Sequence, residues 1–220
     1  MSGVLALVGG GEWREGCTFD ARLLEAGGGE VVVLPTAAAY EHPERLVATA
    51  TAWFASLGGR ATGLPVLSRR DAFDEANVAA VRAARFTYLG GGSPLHLRSV
   101  LKETPLWQAL VDAWHDGAVL AGSSAGAMVL CDPMVDPRGG AFTVGLGLVA
   151  QVAFVPHADT WSAELARRTV ALAPPDLPVV GVDERTALVR EPDGSWSAEG
   201  AGEVAVVVGG RPSGLAALPA

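Results

Sequence analysis

At 220 residues, half of them hydrophobic, the chain has enough apolar surface for one sizeable core and suits a single domain. A net charge of −8 argues against nucleic acid or an anionic membrane as a partner. With no membrane-length apolar run and no basic leader before Gly3, neither a membrane span nor a signal peptide is expected. Two cysteines, Cys17 and Cys131, suffice for neither a disulfide framework nor a metal cluster, so reduced thiols in a cytoplasmic protein are expected.

Strand and helix signals then alternate along the chain. Val4–Val8 predicts a strand running out into Gly9-Gly10-Gly11, and Thr18–Ala26 a helix. Glu30–Leu34 is an unbroken apolar run of the kind buried on both faces of a parallel sheet. His42–Leu57 is helical, with Pro43 placed early, where a missing amide costs little. Ala61–Val66 predicts a third strand, Asp74–Ala84 a helix, and Phe86–Leu89 a fourth strand ending at Gly90-Gly91-Gly92. Helices over Pro94–Lys102 and Pro105–His115 precede a strand at Ala118–Ala121. Beyond it, Gly147–Val155 is strand-like, Ser162–Ala173 helical and Val179–Val182 a strand. Ala187–Arg190, Ser195–Ala198 and Val204–Val208 read as short strands about the Pro192-Asp193-Gly194 turn. This order implies a doubly wound, mainly parallel α/β sheet flanked by helices, with a C-terminal β-hairpin tail. No internal repeat or long linker interrupts it, so residues 1–220 are expected to form one domain. A lone hairpin is marginal, so the tail, which carries Trp196, should either wall the cleft from its own sheet edge or form a homodimer contact.

The most informative stretch is Gly122-Ser123-Ser124-Ala125-Gly126, set between the strand at Ala118–Ala121 and the helix formers Ala127–Leu130. A G-x-S-x-G sequence between strand and helix is a nucleophile elbow. Its turn is tight and strained, so glycine on both sides gives the backbone room while Ser124 projects its hydroxyl above the sheet. The Ala125 amide, at a helix N-terminus, can serve as one oxyanion donor. Open parallel sheets carry their sites beyond the carboxyl ends of the strands. Gly9–Glu12, Gly90–Ser93 and Gly122–Gly126 all fall there, and Gly91 and Gly92 are the natural source of further oxyanion amides. Neither glycine run fits a dinucleotide fingerprint.

A serine nucleophile needs a general base. His42 opens a helix in a charged stretch, and His115 closes one. His157 follows the apolar strand and Pro156, at the edge where the site should form, and is taken as the base; His96, beside the glycine loop, is the rival. No histidine lies beyond His157, which leaves too little room for the Ser-acid-His order of an α/β-hydrolase.

On these residues the chain resembles the dipeptidase E and cyanophycinase family of serine peptidases, whose fold is related to class I glutamine amidotransferases. Nearly the whole length takes part, through Gly90-Gly91-Gly92, the elbow to Ala127, Gly145-Leu146-Gly147-Leu148, Pro156-His157 and Gly181-Val182-Asp183-Glu184-Arg185-Thr186-Ala187. The resemblance implies Ser124 as nucleophile and His157 as base. It implies either Glu184 or Asp159 as the acid, the second matching the His-x-Glu position of the amidotransferases. It also implies Arg167 and Arg168 as candidates to receive an aspartate carboxylate. A small-peptide substrate with N-terminal aspartate, hydrolysed through an acyl-enzyme without metal or cofactor, is the activity implied. The alternatives are a cyanophycinase-like isopeptidase and a binding or regulatory module of the same fold. Glutamine amidotransfer is disfavoured, because Ser124 stands where that chemistry uses cysteine and Cys131 lies too far down the helix.

Overall fold

A computed structural model describes residues 2–138 and 140–219. Five strands form the parallel centre: β1 (Leu5–Val8), β2 (Glu30–Leu34), β3 (Arg60–Gly63), β4 (Phe86–Leu89) and β5 (Val119–Ser123). They lie side by side in the order β3-β2-β4-β5-β1. Helices α1 (Phe19–Ala26), α2 (Pro43–Ser56), α3 (Glu75–Ala83), α4 (Pro94–Leu101) and α5 (Pro105–His115) connect them, and α6 (Ala125–Leu130) leaves the end of β5. Strand residues alternate between two buried layers. Ala6, Val8, Val33, Tyr88 and Ala121 share one layer with Phe19 and Leu23 of α1 and Phe54 of α2. Leu5, Leu7, Leu34, Leu89 and Leu120 face the other, with α3 to α6. Covering both faces is why the inner strands β1, β2, β4 and β5 read as largely apolar runs, whereas the edge strand β3 does not.

Local chemistry starts the helices where the sequence predicts, within a residue or two. Proline occupies the first turn of α2, α4 and α5. Side chains of Asp74, Ser93 and Thr104 accept hydrogen bonds from first-turn amides of α3, α4 and α5.

The second half departs from a simple hairpin tail. Short strands β6 (Cys131–Asp132), β7 (Met134–Val135), β8 (Phe142–Thr143) and β9 (Val149–Ala150) precede β10 (Ala153–Val155). The expected single strand Gly147–Val155 is broken because Gln151 turns left-handed at φ 61°, its amide donating to the Asp132 carbonyl at 2.7 Å. The two halves then pair with different neighbours, β9 with β6, and β10 with β11 (Val179–Val182), beyond helix α7 (Ala163–Leu172).

The tail is divided between two sheets. Strand β12 (Thr186–Arg190) lies antiparallel on β1, with β13 (Trp196–Gly200) outside it, so the main sheet has seven strands. Strand β14 (Val204–Val208) pairs with β11 and carries β15 (Arg211–Ser213), completing a second sheet, β10-β11-β14-β15. The Trp196 indole donates to the Pro219 carbonyl at 2.7 Å and packs on the core. The hairpin's need for a neighbouring edge is therefore met inside the chain. Because β12 runs opposite to β1, it begins where β1 ends, and the turn before it is delivered to the carboxyl edge of the parallel strands.

Candidate active site

Ser124 follows β5 directly, with φ 49° and ψ −109°, a conformation that L-residues rarely adopt. The two flanking glycines are required by close approach. A β-carbon on Gly122 would stand 2.5 Å from the Gly126 carbonyl carbon, and one on Gly126 would overlap the Leu89 carbonyl oxygen. The elbow is fixed by backbone hydrogen bonds, from the Ser124 amide to the Val8 carbonyl and from the Met128 amide to the Ser124 carbonyl, both 2.9 Å.

His157 also has positive φ, 50°, and its amide donates to the Gly9 carbonyl at 2.7 Å. Its imidazole lies flat against Gly10, where a β-carbon would overlap the ring. The Gly9-Gly10-Gly11 run is thus the bed of the histidine. Nε2 of His157 meets the Ser124 hydroxyl at 3.0 Å, and Nδ1 meets Glu184 Oε1 at 2.8 Å. A carboxylate on Nδ1 holds the ring proton there and leaves Nε2 free to accept from the serine. The imidazole and carboxylate are each about one-third exposed, with side-chain values of 33% and 32%.

The turn bearing Glu184 is pinned on several sides. The Glu184 amide donates to Asp159 Oδ1 at 3.1 Å, and its carbonyl accepts from the Thr186 hydroxyl at 3.1 Å. The next amide, that of Arg185, donates to the Gly10 carbonyl at 2.7 Å. Of the two candidate acids, Glu184 meets the imidazole, while Asp159 meets the Glu184 backbone.

The other candidates are placed as follows. His96 Nε2 lies 2.9 Å from the Leu67 carbonyl, and His42 pairs with Glu44, so neither reaches Ser124. The Ala125 amide sits at the first helical position, where no intrahelical acceptor exists. The Gly91 amide points into the same cleft and donates to Glu12 Oε1 at 3.3 Å; Gly92 lines the cleft beside it. Arg167 and Arg168 are not brought to the serine. Helix α7 packs beside the second sheet, and Arg167 lines a separate groove with Val207 and Pro212. The arginine that does line the serine's cleft, a space of about 360 Å³, is Arg45 of α2. Both thiols are buried, and burial pushes Cys17 up to about 11 and Cys131 higher still, so neither is a thiolate at neutral pH.

Sequence reasoning missed the contact made by Glu12. Its Oε2 accepts from the buried Ser123 hydroxyl at 2.8 Å, tying the loop after β1 to the elbow across 111 positions of sequence. The loop's place at a strand end was readable; the partner of its acid was not. Among the described residues no cluster of His, Cys, Asp and Glu is arranged to hold a metal ion. No helix there is long and apolar enough to cross a membrane.

Comparison with known proteins gives a consistent result. The model of peptidase family S51 matches residues 5–195. The chain is 30% identical over 194 residues to a cyanophycinase of Synechococcus elongatus, covering 83% of this chain and 60% of that protein. A cyanophycinase of Trichormus variabilis is 29% identical over 165 residues, 70% of this chain and 55% of its own. The chain thus spans somewhat over half the length of the cyanophycinases it matches. Among solved structures, a peptidase from an acI-B1 Actinobacterium superposes with a TM-score of 0.86 at 33% identity, over 97% of this chain and 93% of that one. A peptidase E protein of Listeria monocytogenes EGD-e superposes with a TM-score of 0.67 over 94% of this chain and 99% of its own; at 18% identity that likeness is one of fold.

Proposed function

Because the chain belongs to peptidase family S51, we propose that it is a serine exopeptidase that hydrolyses short peptides through an acyl-enzyme. The observation that carries this reading is the unbroken chain of hydrogen bonds from Ser124 through His157 to Glu184 at the strand ends. Ser124 Oγ attacks the scissile carbonyl carbon and passes its proton to His157 Nε2. Glu184 steadies the resulting imidazolium, and the Ala125 amide and the Gly91–Gly92 loop receive the oxyanion, the Gly91 amide sharing its hydrogen between the oxyanion and Glu12 Oε1, which it meets at a long 3.3 Å. The imidazolium then protonates the leaving amine. A water, deprotonated by the same nitrogen, releases the acyl group and restores the serine.

For substrate we favour a peptide with N-terminal aspartate, as the resemblance implies. Arg45, the arginine of the cleft, is the residue we assign to its carboxylate. The likeness to cyanophycinases favours a second reading, cleavage of an aspartyl side-chain isopeptide. Incubation with Asp-X dipeptides and with cyanophycin separates the two. The serine-peptidase reading is tested with a fluorophosphonate probe, which should label Ser124. Ser124→Ala should abolish turnover while changing stability by no more than about 1 kcal/mol. Hydrolysis unchanged in that variant would refute the assignment; an unlabelled serine would favour a binding module of the same fold.

A further inference from the structure

Resting on the serine-peptidase reading above, we propose that Glu12 determines specificity by receiving the free α-ammonium group of the substrate, so that cleavage follows the first residue of an unblocked peptide. Glu12 lines the cleft together with Ser124 and His157. Its carboxylate is fixed at both oxygens, Oε2 by the buried Ser123 hydroxyl at 2.8 Å and Oε1 by the Gly91 amide at 3.3 Å. Among the described residues it makes no ion pair with any arginine, lysine or histidine. A carboxylate offers about four lone-pair sites, so two hydrogen bonds leave it able to accept more from the cleft.

Geometry and charge point to the same occupant. In an N-terminal residue the α-nitrogen is one atom removed from the carbonyl carbon. With that carbon over Ser124 and its oxygen toward Gly91 and Ala125, the nitrogen falls beside the group already bonded to Gly91. An anion next to an oxyanion amide also opposes the tetrahedral intermediate by like-charge repulsion, more strongly in a partly desolvated cleft. An ammonium group set between the two charges turns that repulsion into attraction. An acylated or internal amide at the same place leaves the repulsion uncompensated, so one residue selects free N-termini and rejects blocked termini and internal bonds.

The test compares a dipeptide library with free N-termini against the same library N-acetylated, with cleavage read by mass spectrometry and fluorophosphonate labelling run in parallel. For the wild type, acetylation should lower kcat/KM roughly 10- to 100-fold. Glu12→Gln should lose a similar factor on free dipeptides, mainly through KM, and its free-to-acetylated ratio should collapse toward unity. Glu12→Asp, which restores the charge at shorter reach, should recover part of that ratio. Calorimetry of dipeptides binding to Ser124→Ala should show the same preference for a free N-terminus, and adding Glu12→Gln should remove it. Equal cleavage of both libraries by the wild type, or an undiminished ratio in Glu12→Gln, overturns the inference while a labelled Ser124 leaves the peptidase reading standing. Absence of labelling overturns both.

Discussion

Three residues around the relay hold left-handed backbone that their side chains disfavour: Ser124 at φ 49°, His157 at 50° and Arg185 at 57°. Each costs on the order of 1–3 kcal/mol, and each is held by a backbone bond to the Val8–Gly10 segment: Ser124 to Val8, His157 to Gly9 and Arg185 to Gly10. Strain of this kind fixes side-chain direction, which is what a proton relay needs. The two carboxylates near His157 should accordingly separate in assay. Glu184→Gln removes the negative charge facing Nδ1 and offers an amide NH2 donor that favours the wrong ring tautomer, and should lower kcat by roughly 10³- to 10⁴-fold. Asp159→Asn keeps an oxygen facing the Glu184 amide and should lower it by about tenfold or less. Steady-state kinetics on one dipeptide checks both, and equal losses would contradict the geometry. Ser124 and His157 were legible because glycine spacing and strand ends mark them. The acid was not, because Glu184 and Asp159 both sit in loops facing the same histidine, and only the direction of a turn distinguishes them.

Helix α1 carries an unusual burden. Asp20 is fully buried, one oxygen accepting from the Trp53 indole at 2.9 Å and the other without a partner among the described residues. Burial raises its pKa from 3.8 to about 7, against the lowering effect of that indole bond, and the nearby Glu12 charge raises it further. The folded chain therefore holds a proton that the unfolded chain releases near pH 4. Stability from this group is complete below that point, falls as pH rises from about 4 to about 7, and stays level above. At about 1.4 kcal/mol per pKa unit, the loss is on the order of 4 kcal/mol. Asp20→Asn keeps the acceptor for Trp53 and abolishes the titration. Urea unfolding at pH 5 and pH 8 should show a variant that gains on the wild type as pH rises; a difference independent of pH would contradict this. No periodicity announces such a residue, since Asp20 reads as an ordinary first-turn acid.

At the scale of the molecule, the parallel half was legible and the antiparallel half only in outline. Four of the first five strands are largely apolar and followed by glycine or a turn, so their alternation with helices gives a parallel sheet, though not the order of its strands; the edge strand β3, Arg-Ala-Thr-Gly, carries no such signal. Strands β6 to β9 have two residues each, below the length at which a pattern can be recognised. The tail's division between sheets depends on pairing with β1 and β11, which lie far off in sequence. Removing residues 191–220 would strip β13 from β12, β14 from β11, and Glu191 and Glu199 from Arg22. Circular dichroism of that truncated chain on heating should show no cooperative transition; a sharp transition near the wild-type midpoint would show the tail to be dispensable.

The antiparallel seat of β12 on β1 also sets a timetable. Ribosomes deliver Ser124 well before Glu184, and Glu184 comes into place only once the strand after it, β12, can pair with β1. Until then the serine has no oriented imidazole beside it. In the proposed relay, a nascent chain thus lacks its acid until β12 is made, and the serine gains an oriented imidazole only when that strand pairs with β1.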